Sequence, residues 1–205
     1  MRVDVPRYIK DALVHLSNTE TYQIISEEQG KRDIIDLKWE IFAWTIDHRR
    51  VLSKTVVAYI RKKLDGYFYL LYKLHKDPIS TRPVCSDCGS LPHALGQWVD
   101  EQLQPIVQAQ ETYIKDSFSF KSEISQLKLP PNASIFTYIA ISMYTNIDTD
   151  DCIARITEYL KHPSTKKRFT HYSTSTLLEA LIIVMKNNRM RFGDLLVKQL
   201  MGIAI

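Results

Sequence analysis

Cysteine and long apolar runs are scarce in this chain of 205 residues. With only three cysteines, the chain cannot form a disulfide framework, so we expect a reducing, intracellular environment. It contains no run of about 18 apolar residues, so we predict no membrane-spanning segment. The N-terminus mixes charged residues from the start and lacks the apolar centre of a signal peptide. The low cysteine content and the lack of long apolar runs therefore argue against a secreted or membrane-embedded protein.

The bulk composition is that of a folded protein. Hydrophobic residues make up 45% and charged residues 24% of the chain, so disorder is not expected. The net charge of +4 is compatible with a polyanionic partner without requiring one. The sequence specifies no oligomeric state.

Apolar periodicity predicts an α+β fold, with helices first and strands interleaved with helices later. Ser53 is predicted to cap a helix that Gly66 ends, and Trp39, Trp44 and Trp98 are predicted to lie in the core. The predicted elements are helices within 5–64, a strand over 67–74, a loop and short strand within 73–88, helices over 93–110 and 118–127, a buried central strand over 135–143, a helix from the acid-rich run 145–151 to about 160, a helix over 174–187, and a β-hairpin over 189–203.

Four short segments occur in a distinctive order. They are Tyr72-Lys73-Leu74-His75-Lys76 with Thr81-Arg82-Pro83-Val84-Cys85-Ser86 and Cys88-Gly89-Ser90; Gln97-Trp98-Val99-Asp100 with Leu103-Gln104-Pro105; Ser142-Met143-Tyr144-Thr145-Asn146-Ile147; and Arg191-Phe192-Gly193-Asp194 with Lys198-Gln199-Leu200 and Gly202-Ile203-Ala204. Together they resemble the reverse transcriptases (RNA-directed DNA polymerases) of Penelope-like and diatom-type retroelements. The resemblance extends from about residue 52 to the last residue.

The resemblance implies polymerase-like fingers and an incomplete palm of antiparallel strands packed with helices. It divides the chain into an N-terminal helical region (1–66), a fingers-like segment (67–110) and a partial palm (111–205). We expect this palm to be cut before the second catalytic carboxylate hairpin, because the chain ends ahead of the Ser-Pro and paired-aspartate segments of the family.

Five residues match nucleotide- or template-binding positions of the family. Lys73, Lys76 and Arg82 would supply cations to a triphosphate or a template backbone. Tyr144 matches the aromatic residue under the incoming sugar, and Gln199 lies on a strand leading to the template contact. The alternatives stay open: the cations are otherwise solvated loop residues, and the last two are otherwise core and hairpin residues.

One catalytic position departs from the family pattern. Ile139 stands where the family has an aspartate that binds Mg²⁺, and a hydrocarbon side chain offers no oxygen ligand. Asp148, Asp150 and Asp151 follow nearby but are better explained as first-turn partners of a helix. We therefore expect no intact catalytic residue, no metal and no cofactor in this chain, whereas the intact family uses Mg²⁺.

Cys85 and Cys88 have the spacing of half a zinc site, but no second pair of ligands is apparent, so no zinc is predicted. Three functions remain in competition. The first is a catalytically inactive reverse-transcriptase-like domain that binds RNA or DNA. The second is one part of an active polymerase completed by another segment. The third is a relic fold that acts as a protein-interaction module.

Overall fold

The computed structural model describes residues 4–61, 67–86, 90–128, 130–134, 136–140, 143–166 and 172–202. The described helices are α1 (Val5–Leu16), α2 (Glu27–Asp47), α3 (Lys54–Ile60), α4 (His93–Gln108), α5 (Ser117–Gln126), α6 (Met143–Asn146), α7 (Thr149–Lys161), α8 (Pro163–Lys166) and α9 (Thr174–Lys186). The described strands are β1 (Tyr22–Ile25), β2 (Tyr67–Lys73), β3 (Ser80–Ser86), β4 (Arg189–Phe192) and β5 (Leu195–Gln199).

Side-chain caps fix the starts of several helices. Ser53 accepts a hydrogen bond from the Val56 amide at 3.2 Å, which confirms the predicted cap of α3. Asp148 accepts one from the Asp151 amide at 2.8 Å, as expected for the acid-rich start of α7. Gly66, the predicted end of the helix after Ser53, lies outside the described residues.

One five-stranded sheet, in the order β1-β5-β4-β2-β3, organises the fold. β2 and β4 run parallel where Tyr67 meets Arg191, and the other neighbouring pairs are antiparallel. The predicted hairpin is β4–β5, and Gly193 adopts a positive φ of 55° in its turn. Helices and this sheet together confirm the α+β class.

The edge strand β1 corrects the prediction of helix throughout 5–64. Residues Tyr22 to Ile25 pair with Gln199 to Leu196 of β5. A four-residue strand has little local signal of its own, and here its stability comes from a partner about 175 residues away in sequence. Strands from the predicted regions 1–66, 67–110 and 111–205 therefore share one sheet.

The apolar core has two parts. On one face of the sheet, Ala12 and Leu16 of α1 cluster with Phe68, Leu70 and Val197. The larger part lies among α2, α3, α4, α7 and α9.

Two of the three tryptophans lie in the larger core, as predicted. Trp44 and Trp98 meet edge to face, with ring centroids 5.4 Å apart. The prediction for Trp39 is wrong: its side chain is 66% exposed, because its side of α2 faces solvent, where it contacts only the neighbouring Phe42 ring among the described aromatic residues.

The predicted buried strand over 135–143 is also wrong where the structure describes it. Residues 136–140 form no strand, and Tyr138 and Ile139 are each 88% exposed. A buried strand needs neighbours that pair with its backbone and cover its faces. No described strand of the sheet lies beside this segment.

The helices within the described ranges are all too short or too polar to cross a membrane.

Candidate nucleic-acid interface

The β2–β3 hairpin presents two different faces. α1 covers one of them, where Phe68 and Leu70 are buried. Side chains alternate between faces along a strand, so Leu71 and Lys73 point the other way, as do their partners Arg82 and Ser80. The hairpin therefore separates an apolar face toward α1 from a face that carries cations.

Polar contacts fix α1 to the hairpin. The Leu70 amide donates to the Tyr8 hydroxyl at 3.0 Å, and the Tyr72 hydroxyl donates to Asp11 at 2.7 Å. Partial burial, together with this bond to Asp11, raises the pKa of Tyr72 to about 12. These bonds attach the apolar face of the hairpin to α1. α1 therefore does not cover the cationic face.

His15 completes the contact between α1 and the hairpin. Its Nε2 lies 2.7 Å from the Thr81 hydroxyl of β3. Burial lowers the pKa of His15, and the nearby Asp11 carboxylate only partly opposes that effect. A neutral imidazole therefore suits this position.

Three predicted binding residues lie on or beside the cationic face. Arg82 is exposed on β3 and Lys73 is half-buried at the end of β2. Lys76 is exposed in the connecting turn, where its amide donates to the Lys73 carbonyl at 3.2 Å. Exposed guanidinium and ammonium groups at one end of a hairpin can contact phosphates.

Gln199 occupies a different environment from the one predicted for a template contact. Its side chain is 5% exposed, and its Oε1 accepts from Asn188 Nδ2 at 2.8 Å. Its Nε2 donates to the carbonyls of Met201 and Gly202. Its amide group is fully engaged, so Gln199 has a structural role here, and direct contact with a template would require these bonds to break.

Gln199 belongs to a junction that joins two of the predicted motif segments. The Gly202 amide donates to the Ile147 carbonyl at 2.9 Å, and the Thr149 hydroxyl donates to the Leu200 carbonyl at 3.0 Å. Thr21, before β1, also bridges both: its carbonyl accepts from the Leu200 amide at 2.7 Å, and its hydroxyl donates to the Thr145 carbonyl at 3.3 Å. The turn 143–149 is thereby fixed to the end of β5.

The structure does not bring Gln199 together with the hairpin cations. The Gln199 amide bonds to Asn188 at the start of β4. Asn188 is three residues before Arg191, which pairs with Tyr67, and Lys73 is six residues beyond Tyr67. At about 3.3 Å per residue, Gln199 and Lys73 lie on the order of 30 Å apart along the strands. The predicted binding residues are therefore divided between the two ends of the sheet.

Tyr144 lies in the short helix α6 within this junction, and its side-chain position is outside the part that the structure describes. Ile139 lies in the exposed segment before α6.

Asp150 and Asp151 lie in the first turn of α7, as predicted, and each also has a basic partner that the sequence did not predict. Asp150 pairs with Lys186 at 2.8 Å, and Asp151 accepts from Arg155 at 3.0 Å. Across the described ranges, no group of three or more His, Cys, Asp or Glu side chains is arranged to hold a metal ion.

Sequence reasoning missed the arginines that fix β4 to α2. Arg189 pairs with Asp33 at 3.1 Å, with both side chains largely buried. Arg191 forms two hydrogen bonds with Glu27, at 2.6 and 3.3 Å, and this contact lowers the pKa of Glu27. Their spacing of two along a strand could have predicted a shared face, but no local signal identifies the acidic partners on α2.

Cys85 belongs to the smaller core. Its Sγ lies 4.0 Å from the Tyr22 hydroxyl, and burial raises the thiol pKa to about 11. Cys88, its predicted companion, lies outside the described residues.

Comparison of the chain with protein-family models, with curated proteins and with solved structures finds no match.

Proposed function

We propose that this chain is a reverse-transcriptase-like domain, with fingers and part of a palm, that binds RNA or DNA through its phosphates. The observation that carries the proposal is the β2–β3 hairpin, where Lys73 and Arg82 share the face that α1 leaves uncovered. Lys76 extends the same cationic end of the hairpin. Phosphate contacts from such side chains give affinity without requiring sequence recognition.

The junction between the turn 143–149 and residues 199–202 lends further support. It joins the third and fourth of the motif segments, which are about 50 residues apart in sequence, by main-chain and threonine hydrogen bonds. Such proximity is expected if the two segments form parts of one palm, although the sequence order alone does not require it.

We further propose that this chain does not catalyse polymerisation. In the family that the sequence resembles, an aspartate that binds metal stands at the position of Ile139, and an isoleucine cannot supply the oxygen ligand that Mg²⁺ requires. Primer extension with Mg²⁺ or Mn²⁺ tests this directly: the 205-residue chain should add no nucleotide. Extension by this chain would instead favour the active-polymerase hypothesis, with another metal ligand.

The binding proposal is tested by fluorescence anisotropy with a labelled RNA–DNA duplex at several salt concentrations. Affinity should fall as salt rises, with a logarithmic slope of about −0.9 per phosphate contacted. Arg82→Ala should weaken binding and reduce the magnitude of that slope by about one contact. Lys73→Ala should act in the same direction.

Exposed cations elsewhere provide matched controls. Arg50→Ala and Lys38→Ala remove the same charges from the α2 region, and both side chains are exposed. These variants should bind as the parent chain does. An Arg82→Ala affinity equal to that of Arg50→Ala would contradict the proposed interface, as would an affinity that is independent of salt.

A further inference from the structure

The four most exposed large apolar side chains of the described residues all lie within residues 113–140, a segment that contains α5 and the chain after it. Phe118, Phe136, Tyr138 and Ile139 are 86%, 72%, 88% and 88% exposed, and no other described large hydrophobic residue exceeds 70%. Three of these four are aromatic. The segment therefore exposes ring surface that a folded chain normally buries.

Phe136 and Tyr138 form a pair in a piece of chain that has no regular secondary structure. Their ring centroids are 5.2 Å apart, with an angle of 68° between the planes. Within the described residues, 136–140 take part in no helix, strand or main-chain hydrogen bond. The pair is therefore free to receive a planar ligand on its exposed ring faces.

The charges in the sequence of residues 113–140 favour a polyanionic ligand. Exposed Lys115, Lys121 and Lys128 lie in the same segment. Of its two acids, Asp116 is engaged as the cap of α5, where it accepts from the Ser119 amide at 2.8 Å. Aromatic rings interspersed with lysines are the arrangement by which proteins bind single-stranded nucleic acid: rings stack on bases, and cations contact phosphates.

We propose that residues 113–140 bind single-stranded nucleic acid, with unpaired bases stacking on Phe136 and Tyr138. This inference rests on the proposed function, that the chain binds nucleic acid, and adds a second contact that distinguishes unpaired from paired bases. A duplex offers its phosphates to the hairpin cations, but its stacked bases present no free face to the aromatic pair.

The test compares a labelled oligothymidine with a duplex of equal length by anisotropy, using the double variant Phe136→Leu/Tyr138→Leu. Leucine keeps an apolar side chain but removes the ring. Affinity for the oligothymidine should fall at least about tenfold, since stacking contributes about 1–3 kcal/mol per base. Affinity for the duplex and the salt slope should not change. The double variant Phe136→Trp/Tyr138→Trp should retain oligothymidine binding.

The outcomes separate this inference from the proposed function. If both ligands bind and Arg82→Ala weakens them, but the leucine variant leaves oligothymidine affinity unchanged, the stacking site is overturned and the hairpin interface stands. If neither ligand binds, both proposals fail. Sedimentation gives a third outcome. If the parent chain is a dimer and the leucine variant is a monomer with unchanged oligothymidine affinity, the surface is a self-association interface and the stacking site is again overturned.

Discussion

α5 and α9 have comparable length and both carry apolar residues, yet they differ completely in burial. α9 buries eight of its 13 residues against α2, α4 and α7, whereas α5 buries none of its ten. Phe118 in α5 is 86% exposed and Leu181 in α9 is fully buried. α9 carries eight apolar residues and α5 only three, so the difference teaches that a helix is buried when it has enough apolar surface to pack against neighbouring elements.

Hydrogen exchange should reveal the largest contrast, which is between α9 and residues 136–140 in the chain that follows α5. Amides of α9 lie in the larger core, so their exchange should need extensive unfolding and be slowed on the order of a thousandfold or more. Amides of 136–140 form no main-chain hydrogen bond within the described residues and should exchange nearly as fast as in an unfolded chain. Comparable protection in both regions, measured by mass spectrometry, would show that the segment is packed in solution.

Substitution of matched leucines should give the next largest effect. Leu181→Ala removes a fully buried side chain from the larger core and should lower the free energy of unfolding by about 3 kcal/mol. Leu127→Ala, at a side chain that is 60% exposed, should change it by less than about 0.5 kcal/mol. Urea unfolding of the two variants measures both values, and equal losses would mean that residues near Leu127 are covered.

A third contrast is between buried and exposed ion pairs of α2. Asp33→Asn keeps the shape but removes the charge facing Arg189, and both side chains are less than 20% exposed. This should lower the free energy of unfolding by about 2 kcal/mol. Glu28→Gln acts on a pair with Arg32 whose side chains are 80% and 61% exposed, so it should have almost no effect. A small loss for Asp33→Asn, in the same urea assay, would mean that β4 does not depend on this pair.

Local sequence signals predicted most helices and strands correctly, whereas they did not predict which distant residues these elements contact. The caps Ser53 and Asp148 bond within three residues, so the sequence contains the whole interaction. β1 pairs with Gln199 of β5, and the buried Gln199 side chain bonds to Asn188; neither relation follows from periodicity.

The same limit applies to the candidate site. That Lys73 and Arg82 share a face follows from hairpin register, whereas the burial of Gln199 becomes visible only in three dimensions. For residues 136–140 the sequence predicted a strand that the structure does not have. A β-prone sequence does not form a strand without neighbouring strands.

The smallest expected effect is on the pH dependence of the unfolding free energy, through the contact of His15 in α1 with the hairpin. Burial lowers the pKa of His15 below its ordinary 6.5, so the folded chain takes up a proton there less readily than the unfolded chain. The neutral His15 side chain therefore contributes its full share to the free energy of unfolding above pH 6.5, and this share is lost as pH falls through 6.5 toward the folded pKa. Compared with the parent chain, His15→Gln should therefore flatten the dependence of the unfolding free energy on pH below 6.5. Urea unfolding between about pH 5 and pH 7.5 measures both slopes, and a steeper slope for His15→Gln would mean that the protonated imidazole is the form that holds Thr81.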